Sequence, residues 1–218
     1  MAAIEKFKKH PETGRVMHLL EIDSLEDWPE EIALKSRHWV LFLACDAREV
    51  HEDDLAAFAA KVLEQGMVYL STWGEDSERV HDVFDEVDAE KNPDSTADDV
   101  VLSEWHEDEP LAEALRFAVA SASPALAYED SARATLAVSV GNTDWAEKMR
   151  RWLKDPDALD TAAEDEEEEE EAAGDGEAAV AKDKDDEDED DEEEDEEEAE
   201  EEEDEDEDDD EDEASDDD

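Results

Sequence analysis

Hydrophobic and polar positions along this chain fall into a repeating order of strand-like and helix-like segments that stops after Trp152. Val16 to Ile22 alternates loosely and predicts a first strand, followed by a polar stretch with a turn at Trp28-Pro29. Trp39-Val-Leu-Phe-Leu-Ala-Cys45 is an unbroken apolar run of strand length, as expected of a central strand covered on both faces. Glu52 to Gln65 carries Leu55, Phe58, Ala59, Val62 and Leu63 at three- and four-residue spacing, with Gly66 placed to stop the helix. Met67 to Thr72 is again apolar and β-prone, and Ser77 to Val87 puts Val80, Phe84 and Val87 on one helical face. Beyond the loop Asn92-Pro93-Asp94-Ser95, Val100 to Ser103 predicts a short strand, and Leu111, Leu115 and Val119 form a helical stripe ending near Pro124. Thr135 to Val140 predicts a fifth strand, and Thr143 to Leu153 a last helix with Trp145, Met149 and Trp152 on its apolar side.

Such alternation implies βαβ units. The expected fold is a small three-layer α/β domain: a mainly parallel sheet of about five strands with helices on both faces, flavodoxin- or Rossmann-like. The first strand is a candidate antiparallel edge.

Composition divides the chain in two. Residues 1–160 hold 37 acids against 16 Lys plus Arg, and residues 161–218 hold 42 acids against Lys182 and Lys184, which together give the net charge of −61. The second stretch has no aromatic residue and, apart from Val180, no aliphatic residue larger than Ala, so it cannot bury enough apolar surface to offset the entropy of ordering. The expectation is a 1–160 domain followed by a 161–218 disordered acidic tail. The excess of carboxylates resembles that of a halophilic archaeal proteome, where molar salt shortens the Debye length to about 3 Å and lets acids crowd a surface. At low salt the same tail would attract basic proteins. Direct nucleic-acid binding is not expected, because no basic stripe is present to neutralise phosphates.

Cys45 is the only cysteine, so an internal disulfide is excluded. Met1 to His10 lacks the continuous apolar stretch of a secretory signal, and the longest apolar runs fall short of the ~18 residues that span a bilayer. A cytoplasmic protein with no membrane association is the expectation. There is no G-x-G-x-x-G or Walker pattern, and no cofactor is expected.

In an open parallel sheet, ligands bind outside the carboxyl ends of the strands. The residues following the predicted strands are Cys45-Asp46, Trp73-Gly74-Glu75-Asp76, Glu104-Trp105-His106 and Gly141-Asn142-Thr143-Asp144. On this reading Trp73 and Trp105 wall a pocket shared with Gly74, Glu75 and Asn142. Asp46, Asp76 and Glu104 are candidate acids, bases or ligands, and His106 is a candidate proton shuttle. The competing reading makes Asp76 or Ser77, Asp108, and Asn142 or Thr143 helix N-caps, with first-turn acids complementing the helix dipole. Cys45, at the end of a buried strand, reads as a packed thiol rather than a nucleophile. The first-turn acids Glu52, Asp53, Asp54, Glu107 and Asp108 would repel a phosphate. A divalent cation or a cationic ligand over the tryptophan faces suits them better.

Trp73-Gly74-Glu75-Asp76-Ser77 and Glu104-Trp105-His106-Glu107-Asp108-Glu109-Pro110-Leu111 together resemble a family of small uncharacterised α/β domains that carry W-G-x-D-C and T-W-H-x-D-E-P-L segments after successive strands. The resemblance spans roughly residues 38 to 140. Ser77 stands where that family tends to have Cys, and Glu104 where it tends to have Thr, so a thiol mechanism does not carry over. The resemblance implies an α/β fold and importance for Trp73, Asp76, Trp105 and His106, and no substrate.

Two functions follow from the residues. One is a protein-interaction or regulatory module whose acidic tail, residues 161–218, either keeps it soluble in high salt or engages a basic partner. The other is a small-molecule or divalent-metal-binding enzyme using the strand-end rim.

Overall fold

The computed structural model describes residues 3–163, so the predicted acidic tail beyond its first three residues lies outside the described residues. The domain is built on one six-stranded sheet: β1 (Glu5–Lys9), β2 (Val16–Ile22), β3 (His38–Ala44), β4 (Met67–Trp73), β5 (Leu102–His106) and β6 (Ala132–Val140). Its spatial order is β1-β2-β6-β3-β4-β5, with β1 antiparallel to β2 and every other pairing parallel. The sheet is mainly parallel, as the alternation predicted. The antiparallel edge, however, is β1 and not Val16–Ile22, which lies inside the sheet between β1 and β6.

Helices α1 (Glu52–Glu64), α2 (Ser77–Lys91), α3 (Leu111–Arg116) and α4 (Thr143–Lys154) follow β3, β4, β5 and β6 in turn. A π-helical turn at Phe117–Ser121 continues α3, and residues 156–163 form α5. Side chains of a strand alternate between its two faces, and β3 separates two apolar clusters in this way. Leu41 and Leu43 join Leu55, Phe58 and Val62 of α1 and Val80 and Phe84 of α2. Phe42 and Ala44 join Leu111 and Leu115 of α3, Met149 and Trp152 of α4, and Leu159 and Ala163 of α5. The packed chain therefore runs through residue 163.

α1 forms because Leu55, Phe58, Ala59 and Val62 make a single buried stripe, its first turn carries Glu52, Asp53 and Asp54, and Gly66 just beyond it adopts a positive φ of 94°. The other helical face of the sheet contains a buried cation. The Arg15 guanidinium donates to the carbonyl oxygens of Ala122 (2.8 Å), Ala118 (3.3 Å) and Val119 (3.3 Å), satisfying the acceptors that the π turn frees. Burial lowers its pKa to about 10.

The connection between β2 and β3, residues 23–37, contains only a 3-10 turn at Leu25–Asp27. Trp28 anchors it, with ring centroids 6.3 Å from Trp39 and 5.1 Å from Phe58, and its Nε1–H donates to Gln65 Oε1 at 2.8 Å. Among the described residues no helix is long and apolar enough to cross a membrane.

Candidate functional site

β6 is inserted between β2 and β3, and the chain leaves the adjacent strands β3 and β6 toward different clusters, α1 joining one and α4 the other. This arrangement opens a crevice outside their carboxyl ends, the position where open α/β sheets take ligands. A cavity of about 950 Å³ lies there. Its walls come from three loops: Asp23 to Glu26 after β2, Cys45 to Asp54 after β3, and Gly141, Asn142 and Trp145 after β6.

The crevice is acidic. Asp23, Glu26, Asp46, Glu49 and Asp54 line it, with Arg48 as its only Lys or Arg. Arg48 grips Asp46 through two parallel bonds, Nε–H to Oδ1 (2.9 Å) and Nη2–H to Oδ2 (2.5 Å). These bonds hold the Asp46 carboxyl below the usual carboxylate range. Cys45 is buried, and burial followed by the charge of Asp46 raises its thiol to about 11, so it stays protonated and weakly nucleophilic. It is the packed thiol that its place at a strand end suggested. Asn142 caps α4, its Oδ1 accepting from the Trp145 N–H at 3.1 Å. The half-buried indole of Trp145 closes one side and meets Trp73 edge-on at 5.1 Å.

The remaining rim candidates do something else. Glu104, Trp105 and His106 lie within β5, not after it, so their side chains alternate between faces and do not converge. Trp105 is 45% exposed on the free edge of the sheet, its ring 4.6 Å from His81 of α2. Glu104 is exposed on the same strand. His106 is buried, 5.1 Å from the Phe117 ring, with Nδ1 2.7 Å from Glu109 Oε2. Its Nε2 is buried and has no hydrogen-bond partner among the described residues. None of the three lines the crevice.

Trp73, Gly74, Glu75 and Asp76 form a latch. Trp73 Nε1–H donates to the Glu109 carbonyl oxygen at 2.6 Å, and the Asp76 N–H donates to Glu107 Oε1 at 3.3 Å, so the loops after β4 and β5 are bonded directly to each other. The Ala47 N–H donates to the Glu75 carbonyl, and the Cys45 N–H to the Trp73 carbonyl, each at 3.0 Å. Arg79 completes the connection, donating to Asp76 Oδ2 (2.7 Å), the Val50 carbonyl (3.2 Å) and the Ala47 carbonyl. Asp76 sits at the start of α2 in the left-handed region (φ 65°), and its side chain caps no backbone N–H. Asp108 is not a cap, since Pro110 occupies the position before α3.

Of the candidates, then, Asp46 and Asn142 are in the crevice, while Trp73, Gly74, Glu75 and Asp76 hold the neighbouring loops in place. Asp23, Glu26, Arg48, Glu49, His51, Asp54 and Trp145 are among the other lining residues. The signal for Asp23 and Glu26 was the polar stretch after β2, which becomes part of the rim only when β2 lies beside β6. Among the described residues, no three His, Cys, Asp or Glu side chains come together as metal ligands.

Residues 15–156 match the family described as "Domain of unknown function (DUF7684)". The chain belongs to that family. No curated protein and no solved structure matches it. The DUF7684 span, Arg15 to Pro156, contains the whole crevice and the whole latch, and it leaves out β1.

Proposed function

We propose that this DUF7684 domain is an interaction module that receives a cationic group of a basic partner protein in the strand-end crevice. The observation that carries the reading is the balance of charge there: five carboxylates against one guanidinium already committed to Asp46, at the position where the fold opens a cleft. A Lys or Arg side chain entering beside Asp54 and Glu49 would find counter-charges on several sides and the Trp145 ring as a flat apolar wall. The 42 acids of residues 161–218 act at longer range, raising the encounter rate with a basic partner wherever salt is low enough for the field to extend.

Catalysis is the weaker reading. Cys45 is protonated at neutral pH, and His106, the candidate proton shuttle, lies outside the crevice. The cavity is nevertheless of small-molecule size, which supports a free polyamine as a second reading of the same site.

Calorimetry with the full chain decides between them. A Lys/Arg-rich peptide should bind the wild type and lose about tenfold in affinity when Asp46→Asn, Glu49→Gln and Asp54→Asn are combined. Spermidine that binds more tightly than the peptide and competes it off would favour the small-molecule reading. Peptide binding that is untouched by the triple substitution would remove the crevice from the function altogether.

A further inference from the structure

A second cavity, of about 830 Å³, lies away from the crevice. Parallel sheets need both faces covered, because their strands are apolar on both sides. Here α1 and α2 join the cluster over Leu41 and Leu43, but the β2–β3 connection supplies no α-helix for the part of that face formed by β1, β2 and β6. Residues 29–35 arch across it instead and leave a hollow.

The floor of the hollow is Ile4, Val16, His18 and Ala134, and Pro29 and Ala33 lie on the arch. His18 is buried, its Nδ1 is 3.1 Å from the Val16 carbonyl oxygen, and burial lowers its pKa, so the floor is uncharged at neutral pH. Three cations, Lys6, Lys35 and Arg133, stand around this apolar floor. Among the described residues neither Lys6 nor Lys35 forms an ion pair. Arg133 donates from Nε to the Asp130 carbonyl oxygen at 2.7 Å, and its one ion pair is a 3.5 Å contact with the fully exposed Asp130 carboxylate. Three carboxylates also line the mouth. Glu30 is paired with Lys61 at 2.9 Å, while Asp27, which accepts only from the neutral Ser24 Oγ at 3.0 Å, and Glu31 keep their charge. Three cations thus face two unpaired carboxylates, a balance of one positive charge, in a domain whose first 160 residues hold 37 acids and 16 bases.

We infer that this hollow is a binding site for a free amphiphilic carboxylate, an aliphatic chain or ring system seated on the sheet face with its anionic end among Lys6, Lys35 and Arg133. The volume lies in the range of small-molecule pockets. The chemistry is opposite in sign to that of the crevice, so one site can fail while the other stands.

The test uses the full chain at low salt with dodecanoate as the probe and dodecanol as its uncharged counterpart, read by calorimetry and melting temperature. Two variants leave the core alone. Lys6→Glu with Lys35→Glu reverses two exposed cations, and Ala33→Trp fills the hollow from the exposed arch. Dodecanoate should bind the wild type at least tenfold more tightly than dodecanol, and each variant should weaken it by about tenfold or more while melting normally. Dodecanol binding equally well, or dodecanoate affinity within about twofold of wild type in both variants, would overturn the site.

Discussion

Gly74 gives the sharpest test of how the strand ends are assembled. Its φ is +116°, and a Cβ built on it would collide with the Cys45 carbonyl oxygen and press on the Cys45 carbonyl carbon at 3.1 Å. Both atoms are backbone, at the end of a strand paired on both sides, so neither can move aside cheaply. Gly14 is a built-in control, with a positive φ of 66° and nothing within 4 Å of the same hypothetical atom. Replacing either by Ala removes backbone freedom from the unfolded chain to the same extent, and that term cancels in the comparison. What remains for Gly14→Ala is the left-handed conformation, costing about 1 to 2 kcal/mol. For Gly74→Ala a less accessible φ and the collision are added, for a total of about 3 kcal/mol or more. In a domain of this size each kcal/mol lowers the melting temperature by about 2–4 °C, so the remaining difference of about 1 to 2 kcal/mol or more should make Gly74→Ala melt at least roughly 2–8 °C below Gly14→Ala. Equal shifts for the two variants, measured side by side by circular dichroism, would refute the close approach of the β4–α2 turn to β3.

Other expectations follow from the same contacts. Cys45 has a thiol raised from 9.0 to about 11, so iodoacetamide should label the native chain at least about 100-fold more slowly than the urea-unfolded chain near pH 8. Because the unfolded thiol ionises first, stability should also fall as pH rises above 9 and should fall less in Cys45→Ala. His10 and His18 are buried with pKa values lowered from 6.5, so the unfolded state takes up protons before the folded one and stability should drop as pH falls below 6.5. The drop can reach about 1.4 kcal/mol per pH unit for each proton, and His18→Gln should flatten it in urea titrations at pH 5 to 7. Arg48→Ala should leave the melting temperature within error of wild type yet tighten binding of a Lys/Arg-rich peptide, since it frees Asp46. Asn142→Ala, which removes the α4 cap, should cost about 1 kcal/mol in thermal melts.

Much of the fold was legible because burial and periodicity coincide. β3 from Trp39 to Ala44 and β4 from Met67 to Leu70 are continuous apolar runs because helices and neighbouring strands enclose them, and α1 shows its stripe because one side alone meets the sheet. β1 was missed because Glu5–Lys9 buries no residue fully and reads as a charged segment. The strand predicted at Val100 to Ser103 lies instead at Leu102–His106, because a free edge strand is mostly exposed and the hydrophobic signal falls on Val100 and Val101 before it. That shift of a few residues moved Glu104, Trp105 and His106 off the rim. The insertion of β6 between β2 and β3 brought the Asn142 loop beside Cys45 and Asp46 and set the β2 loop against them. Strand order depends on which edges meet in three dimensions, and periodicity along the chain carries no record of it. The two motif segments bond to each other: Trp73 and Asp76 bond to Glu109 and Glu107 and stay outside the crevice.

Among the described residues the strand latest in sequence, β6, lies between two much earlier ones. Until Ala132–Val140 pairs with them, β2 and β3 each present a raw edge. Closing the sheet therefore waits on a pairing between segments far apart in sequence, which slows assembly and leaves strand edges uncovered in the meantime.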